Sequence, residues 1–506
     1  MQKTQNKPWF KTDTGRNFRG FFLGTQLMSL LGNIKTRYRA AAGYRELLAI
    51  AIPLILSTSA WSIQHFVDRM FLTWYSPESI AAAMPAGIFN FSIMTLFIGT
   101  ASYISTFVAQ YFGAHQYRQI GPIVWQGMYI AIIGGIFHLL LIPLATPIFN
   151  FIGHEPAIRE LEIIYFRVLC LGAFPVIASS AFAGFFSGRG KTWPLMWINI
   201  TATLTNIIFD YLLIFGNGGF PEMGVRGAAI ATVLSSCISL IIYLSIIFRP
   251  SFCKTYCILT GIRLDCALLK RLIYYGFPNG VQFFIDAAGF TGFLFIVGKL
   301  GRDALAATNI TFNINSLAFM PMMGFGITVS VMVGQYLGKN RPDLAHKAAY
   351  SGFHITFFYM AVMVALYLGY PTLFIKPFMA GSDSREMVAI REIVIRLIRF
   401  VAIYSLFDTL NIIFAAAIKG AGDTRFVMRM LSVLSVVLLI IPSYLALIIW
   451  KQSVYVGWII ITIYISSLGI GFYLRFLGGK WKSMRVIEPP PPGLPATFAE
   501  TPTPDI

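Results

Sequence analysis

The sequence predicts an all-α polytopic membrane protein, with twelve transmembrane helices in two pseudo-symmetric six-helix lobes around a central cleft. Three observations predict it. Of 506 residues, 57% are hydrophobic and only 12% charged, with a mean hydropathy of +0.70; a soluble domain carries roughly 25% charged residues. Apolar runs long enough to cross a bilayer, roughly 20 residues each, recur along the whole chain. The second half of the chain also repeats features of the first.

Residues 1–45 hold nine Lys and Arg and form a basic cytoplasmic segment. Basic residues, and no small-residue cleavage site, follow its apolar stretch at 20–31, so it reads as an interfacial helix or a disordered tail rather than a signal peptide. Spans are expected at 46–73, 82–111, 122–144, 160–186, 192–216 and 224–248 (first lobe, 46–248). Six more follow at 270–297, 306–336, 346–372, 389–418, 426–450 and 453–478 (second lobe, 270–480). Pro53, Pro175, Pro278 and Pro321 interrupt spans, which membrane helices tolerate when neighbours satisfy the freed backbone groups. A basic connector, 249–269, joins the lobes, and the Pro-rich tail 481–506 reads as disordered. Five Cys are no disulfide framework. Cys253, Cys257 and Cys266 cluster at the connector without a His/Cys pair of zinc spacing, so no metal is expected there.

The net charge of +18 raises the question of a nucleic-acid partner. With both termini cytoplasmic, 27 of the 39 Lys and Arg fall in inner segments or the span ends adjoining them, and 8 in outer loops or their adjoining span ends. Such asymmetry orients membrane proteins with the basic side inside and attracts anionic lipid. The charge therefore points to a multi-pass protein of the plasma (bacterial inner) membrane, contacting lipid and not nucleic acid.

The internal repeat is specific. VAQYFGAHQ (108–116) ends span two and VGQYLGKNR (333–341) ends span eight. The same shift of 225 residues pairs Ala81 with Ala306, Asn90 with Asn315, Gly99 with Gly324, Ser105 with Ser330 and Pro53 with Pro278. GRGKT (188–192) matches GAGDT (420–424) at a shift of 232. Six spans per half make the repeats parallel, related by an axis along the membrane normal, the plan of transporters that rock around a central cleft.

Ionisable groups within the hydrocarbon are expensive and mark function. Asp68, Asp210, Asp286 and Asp408 stand well inside spans. At 1.5 Å per residue, Asp68 lies roughly 8 Å, Asp210 9 Å, Thr232 12 Å and Asn206 15 Å from the outer ends of their spans. Asn206 and Asp210, spaced i, i+4, share a helix face. Their oxygens suit Na⁺, or the carboxylates could carry a proton; Asp286 and Asp408 could form a second site. His65, on the face of Asp68, is a possible proton relay and reads more simply as a hydrogen-bonded structural histidine. Glu392, Arg396 and Arg399 read as a structural ion network. The abundant aromatic and Met side chains could line a pocket for flat cations. No GxxxxGK[ST], GxSxG or HExxH is present, so no enzyme, and no cofactor beyond a coupling ion, is expected.

The run NIIFDYLLIFG (206–216), then PEMGVRGAAIAT (221–232), resembles the multidrug and toxic compound extrusion (MATE) family, within the multidrug/oligosaccharidyl-lipid/polysaccharide flippase superfamily. VAQYFGA, the GFPNG at 276–280 and GAGDT add to the resemblance, which covers about 45–480. It implies efflux of drugs and organic cations in exchange for H⁺ or Na⁺. It also implies a cation site on Asp68, Asn206, Asp210 and Thr232, a kinking proline at Pro53 (with Pro278 its repeat partner), and second-lobe acids at Asp286 and Asp408. Arg69 departs from the pattern, as does Asp286, where bacterial members with this site carry Glu. A monomer is expected. A lipid-linked oligosaccharide flippase of the same plan is the alternative; an ion channel lacks a filter-like loop, and an aspartyl hydrolase lacks a matching acid pair in the repeat.

Overall fold

The computed structural model describes residues 37–379 and 385–488; the expected interfacial helix or tail at 20–31 and most of the Pro-rich tail lie outside them. All regular structure among the described residues is helical. The first half contains α1 (Tyr44–Tyr75), α2 (Pro77–Ser102), α3 (Ile104–Gly113), α4 (Ile120–Leu141), α5 (Ala145–Ile152), α6 (Pro156–Leu171), α7 (Ala173–Gly188), α8 (Trp193–Phe215) and α9 (Val225–Ile247). After a short connector helix α10 (Pro250–Tyr256) come α11 (Cys266–Gly298), α12 (Arg302–Gly338), α13 (Pro342–Gly369), α14 (Pro371–Met379), α15 (Arg385–Ala421), α16 (Thr424–Leu434), α17 (Ile441–Tyr444) and α18 (Val454–Leu477). Eleven stretches are long and apolar enough to cross a membrane, and α6 with α7, bent by 44°, makes a twelfth.

Several helices outrun their apolar segments because their ends are capped. Ser76 Oγ accepts from the Ser79 amide and Pro77 takes the first position of α2, where its missing N–H costs nothing. Asp265 caps α11, accepting from the amides of Ala267 and Leu268 at 2.9 and 3.0 Å, so the helix of the seventh span already begins at Cys266, within the last residues of the connector. Pro53 and Pro278 are buried inside continuous helices. Large apolar residues such as Phe295 and Phe358, 74% and 71% exposed, would be a liability in water and suit lipid.

Two expectations are corrected. Residues 481–488 are packed, not a loose tail: Trp481 is buried, its indole N–H donating to Phe476 O at 2.9 Å, and Val486 is buried too. Glu392, Arg396 and Arg399 are all exposed and form no ion pair among the described residues; Arg396 instead lies 5.7 Å from the ring centre of Tyr455.

The end of the bundle where α1 begins and α18 finishes is here called the basic end. The two halves meet there through α1 on α12, α3 on α12 and α2 on α11. Gly99 and Gly280 allow the last of these crossings: a Cβ on Gly99 would lie 2.6 Å from Gly280 Cα. Among the described residues, the deepest hydrogen bonds between halves are Thr58 Oγ1 to Met320 O (3.3 Å) and Asn279 Nδ2 to Gly99 O (2.7 Å). Past these toward the other end, no hydrogen bond joins the halves among the described residues.

Candidate cation site

A polar ladder joins α1 to α8. Thr192 Oγ1 donates to Ile50 O at 3.0 Å, Asn199 Nδ2 to Ser57 Oγ, and Thr203 Oγ1 to Ala60 O at 3.3 Å. The partners are 142, 142 and 143 residues apart, so the helices run parallel in one register. The next rung in that register, at the same offset, pairs Asp68 with Asp210. There the hydrogen bonding stops. Asp210 and Asn206 are fully buried, and Asp68 Oδ1, both Asp210 oxygens and both polar atoms of the Asn206 amide have no hydrogen-bond partner among the described residues.

The two carboxylates lie within electrostatic range of each other, and Tyr165 of α6 lies within range of both. By helix rise, Asp68 sits roughly 15 Å beyond Thr58, past the deepest hydrogen bonds that join the halves among the described residues. Thr232, half-buried on α9, lies at a depth between those of Asp210 and Asn206; its carbonyl accepts from the hydroxyls of Ser235 and Ser236. An unsatisfied buried polar group costs about 1–3 kcal/mol, more if charged. Five such atoms in one place, all but one of them able to accept, fit a bound cation or proton.

His65 differs from expectation. It packs edge-to-face on Trp61, ring centres 4.6 Å apart, and among the described residues makes no hydrogen bond.

The second-half acids also come together, with their needs partly met. Asp408 accepts from Asn411 Nδ2 at 2.8 Å and Asp286 from Gln282 Nε2 at 3.5 Å; Tyr464 is within electrostatic range of both. Lys419, one residue past the expected end of its span at 418, lies inside α15. Its Nζ donates to Asn279 Oδ1 at 3.3 Å and Gln282 Oε1 at 3.2 Å, within electrostatic range of Asp286. An internal ammonium thus faces the second acid cluster, whereas at the first the cation within electrostatic range of Asp68 is the guanidinium of Arg69, the next residue.

The MatE family model matches the chain in two segments, 53–212 and 278–445. The chain belongs to the MatE family. The two matched segments open on Pro53 and Pro278, the prolines that the repeat pairs. Membership makes this an integral membrane transporter and not an enzyme. A probable multidrug resistance protein NorM of Synechocystis sp. is 27% identical over 78% of this chain and 86% of its own length. The multidrug resistance protein PmpM of Pseudomonas aeruginosa is 29% identical over 78% and 81%. An outward-facing multidrug resistance MATE family transporter of the MOP superfamily superposes with a TM-score of 0.79 at 19% identity, covering 89% of this chain and 98% of that one. A MOP superfamily transporter from Pyrococcus furiosus superposes at 0.78 with 20% identity, over 89% and 98%. These likenesses carry the MatE fold.

Proposed function

We propose that this MatE protein exports drugs and other toxic organic compounds, many of them cationic, in exchange for H⁺ or Na⁺. The coupling ion binds Asp68, Asn206, Asp210 and Thr232. The observation that carries this reading is the polar ladder that ends in a carboxylate pair to which no group among the described residues donates. Two carboxylates in a low-dielectric interior need a compensating cation, and both H⁺ and Na⁺ meet that need. The multidrug-resistance names of the relatives support the substrate class.

In the proposed cycle the two lobes, 46–248 and 270–480, alternate about the connector at 249–269, with both termini cytoplasmic as the 27 basic residues on one side favour. The basic end is then the cytoplasmic end and the described state is closed to it. Ion binding to the acids in this state favours release of the drug and return to the opposite state. Asp286 and Asp408 are a second, partly satisfied acid cluster with Lys419 as its built-in cation; Pro53 and Pro278 are the matching points at which each leading helix flexes. The test is dye efflux from reconstituted vesicles under separately imposed H⁺ and Na⁺ gradients. Asp210→Asn should reach the membrane and lose efflux under the gradient that drives the wild type. Wild-type efflux by that variant would overturn the site.

A further inference from the structure

The repeated QYxG and GxGxT motifs are not used by the cation site, yet they meet one another across the molecule. Gln110, near the end of α3, is fully buried; its Nε2 donates to Gly420 O at 3.0 Å. Gln335, near the end of α12, donates through Nε2 to Gly188 O at 2.8 Å. Each glutamine therefore reaches from its own half to the glycine that opens the other half's motif.

The receiving carbonyls are special. Gly188 ends α7 and Gly420 is next to last in α15, so both belong to the final four carbonyls that a helix leaves without an internal partner. Their neighbours are satisfied locally. Lys191 N bonds Phe186 O and Gly190 N bonds Ser187 O, just as Asp423 N bonds Ile418 O and Gly422 N bonds Lys419 O. These are Schellman-type ends, with Gly190 and Gly422 at φ +72° and +116°. The glycine carbonyl is among those these turns leave over in each half, and the opposite half's glutamine takes it. The glycine of each QYxG is explained by the same crossing: a Cβ on Gly113 would strike the backbone of Gln335, and one on Gly338 the backbone of Gln110.

We infer that Gln110 and Gln335 form a reciprocal latch that holds the halves together at the basic end and that must release when the cleft opens to that side. Gln110 Oε1 also accepts from the Val486 amide at 2.8 Å, which ties the segment after α18 to the latch. Beneath it, Tyr103 OH donates to Lys419 O at 2.7 Å, so the same helix end is held from the first half twice. The bonded groups sit where water can replace the lost partners on release, which keeps the step reversible; deeper in the bilayer it would not be. The inference rests on the alternating-access reading, because release needs a second conformation.

The test uses the full chain in lipid nanodiscs, with spin labels at Arg118→Cys and Lys339→Cys, both exposed and on opposite halves. Distances are read without drug or gradient by double electron–electron resonance. Removing both amides in Gln110→Ala/Gln335→Ala should raise the ratio of separated to closed populations about tenfold, equivalent to about 1.4 kcal/mol. Gln335→Glu keeps the size and loses the N–H donor; it should shift the ratio the same way, and it reads the latch even if the double variant fails to fold. An unchanged distance distribution in a monodisperse variant overturns the latch. Normal efflux with unchanged distances is failure of the latch alone; shifted distances in a protein that exchanges no ion for drug is failure of the transport reading alone.

Discussion

Replacing Gly280 by Ala tests how closely the halves are pressed together. In the crossing of α2 and α11, the added Cβ would lie 2.7 Å from Thr100 Oγ1 and 3.0 Å from the Leu96 carbonyl carbon, with the Leu96 oxygen nearer still. Two of these three obstacles are backbone, so no side chain can simply swing aside and the helices must separate. Overpacking of this kind costs about 1–3 kcal/mol. The Asn279–Gly99 bond of 2.7 Å, one residue away, is stretched by the same movement. That cost falls only on the state in which α2 and α11 touch, so the conformational equilibrium should move toward the other state by about 5- to 150-fold. Single-molecule fluorescence transfer between dyes on the two halves at the basic end should show the high-transfer population falling. Gly369→Ala, where the new Cβ meets nothing within 4 Å, is the control and should leave the populations alone. If Gly280→Ala is well folded and its populations match those of the control, the tight crossing does not set the closed state.

Two further outcomes follow from packing. Trp481→Ala removes a buried indole stacked on Phe476 at 4.8 Å and 13°, a change that costs about 3–5 kcal/mol in a packed core; hydrogen exchange at the Val486 amide should speed up by orders of magnitude, and unchanged protection would mean that Gln110 alone holds the segment. His154→Ala removes the partner 2.8 Å from the fully buried Glu162, whose second oxygen already has none among the described residues; the midpoint of thermal unfolding should drop by the equivalent of about 1–3 kcal/mol, while His154→Asn, which can still donate, should recover part of it.

Much of this was legible in residue order because membranes impose one-dimensional rules. Length and hydropathy place the spans, and the QYxG and GxGxT pairs announce the duplication. Asp68 and Asp210 stand out by cost alone. What residue order does not carry is register between helices distant in sequence. Thr192, Asn199 and Thr203 are unremarkable polar residues until their common offset from Ile50, Ser57 and Ala60 aligns Asp210 with Asp68. Lys419 falls just outside the expected span 389–418 for a related reason: hydropathy averages over a turn, and residue order does not show that Asn279 and Gln282 of another span solvate the charge. Glu392, Arg396 and Arg399 err in the opposite direction, because helical spacing permits an ion network that exposure makes unnecessary. The motifs themselves were visible, but not that each is completed by the other half.

That reciprocity has a consequence for assembly. A contact in which one glutamine meets one helix end, and the matching glutamine meets the matching end, is isologous, the self-complementary kind found in C₂ dimers of identical chains. A single six-span unit carrying both motifs would hold every group needed to pair with its own copy. The covalent connector between α9 and α11 therefore tethers an interface whose specificity does not depend on it. The two halves, expressed as separate polypeptides in one membrane, carry complementary ends and should find each other.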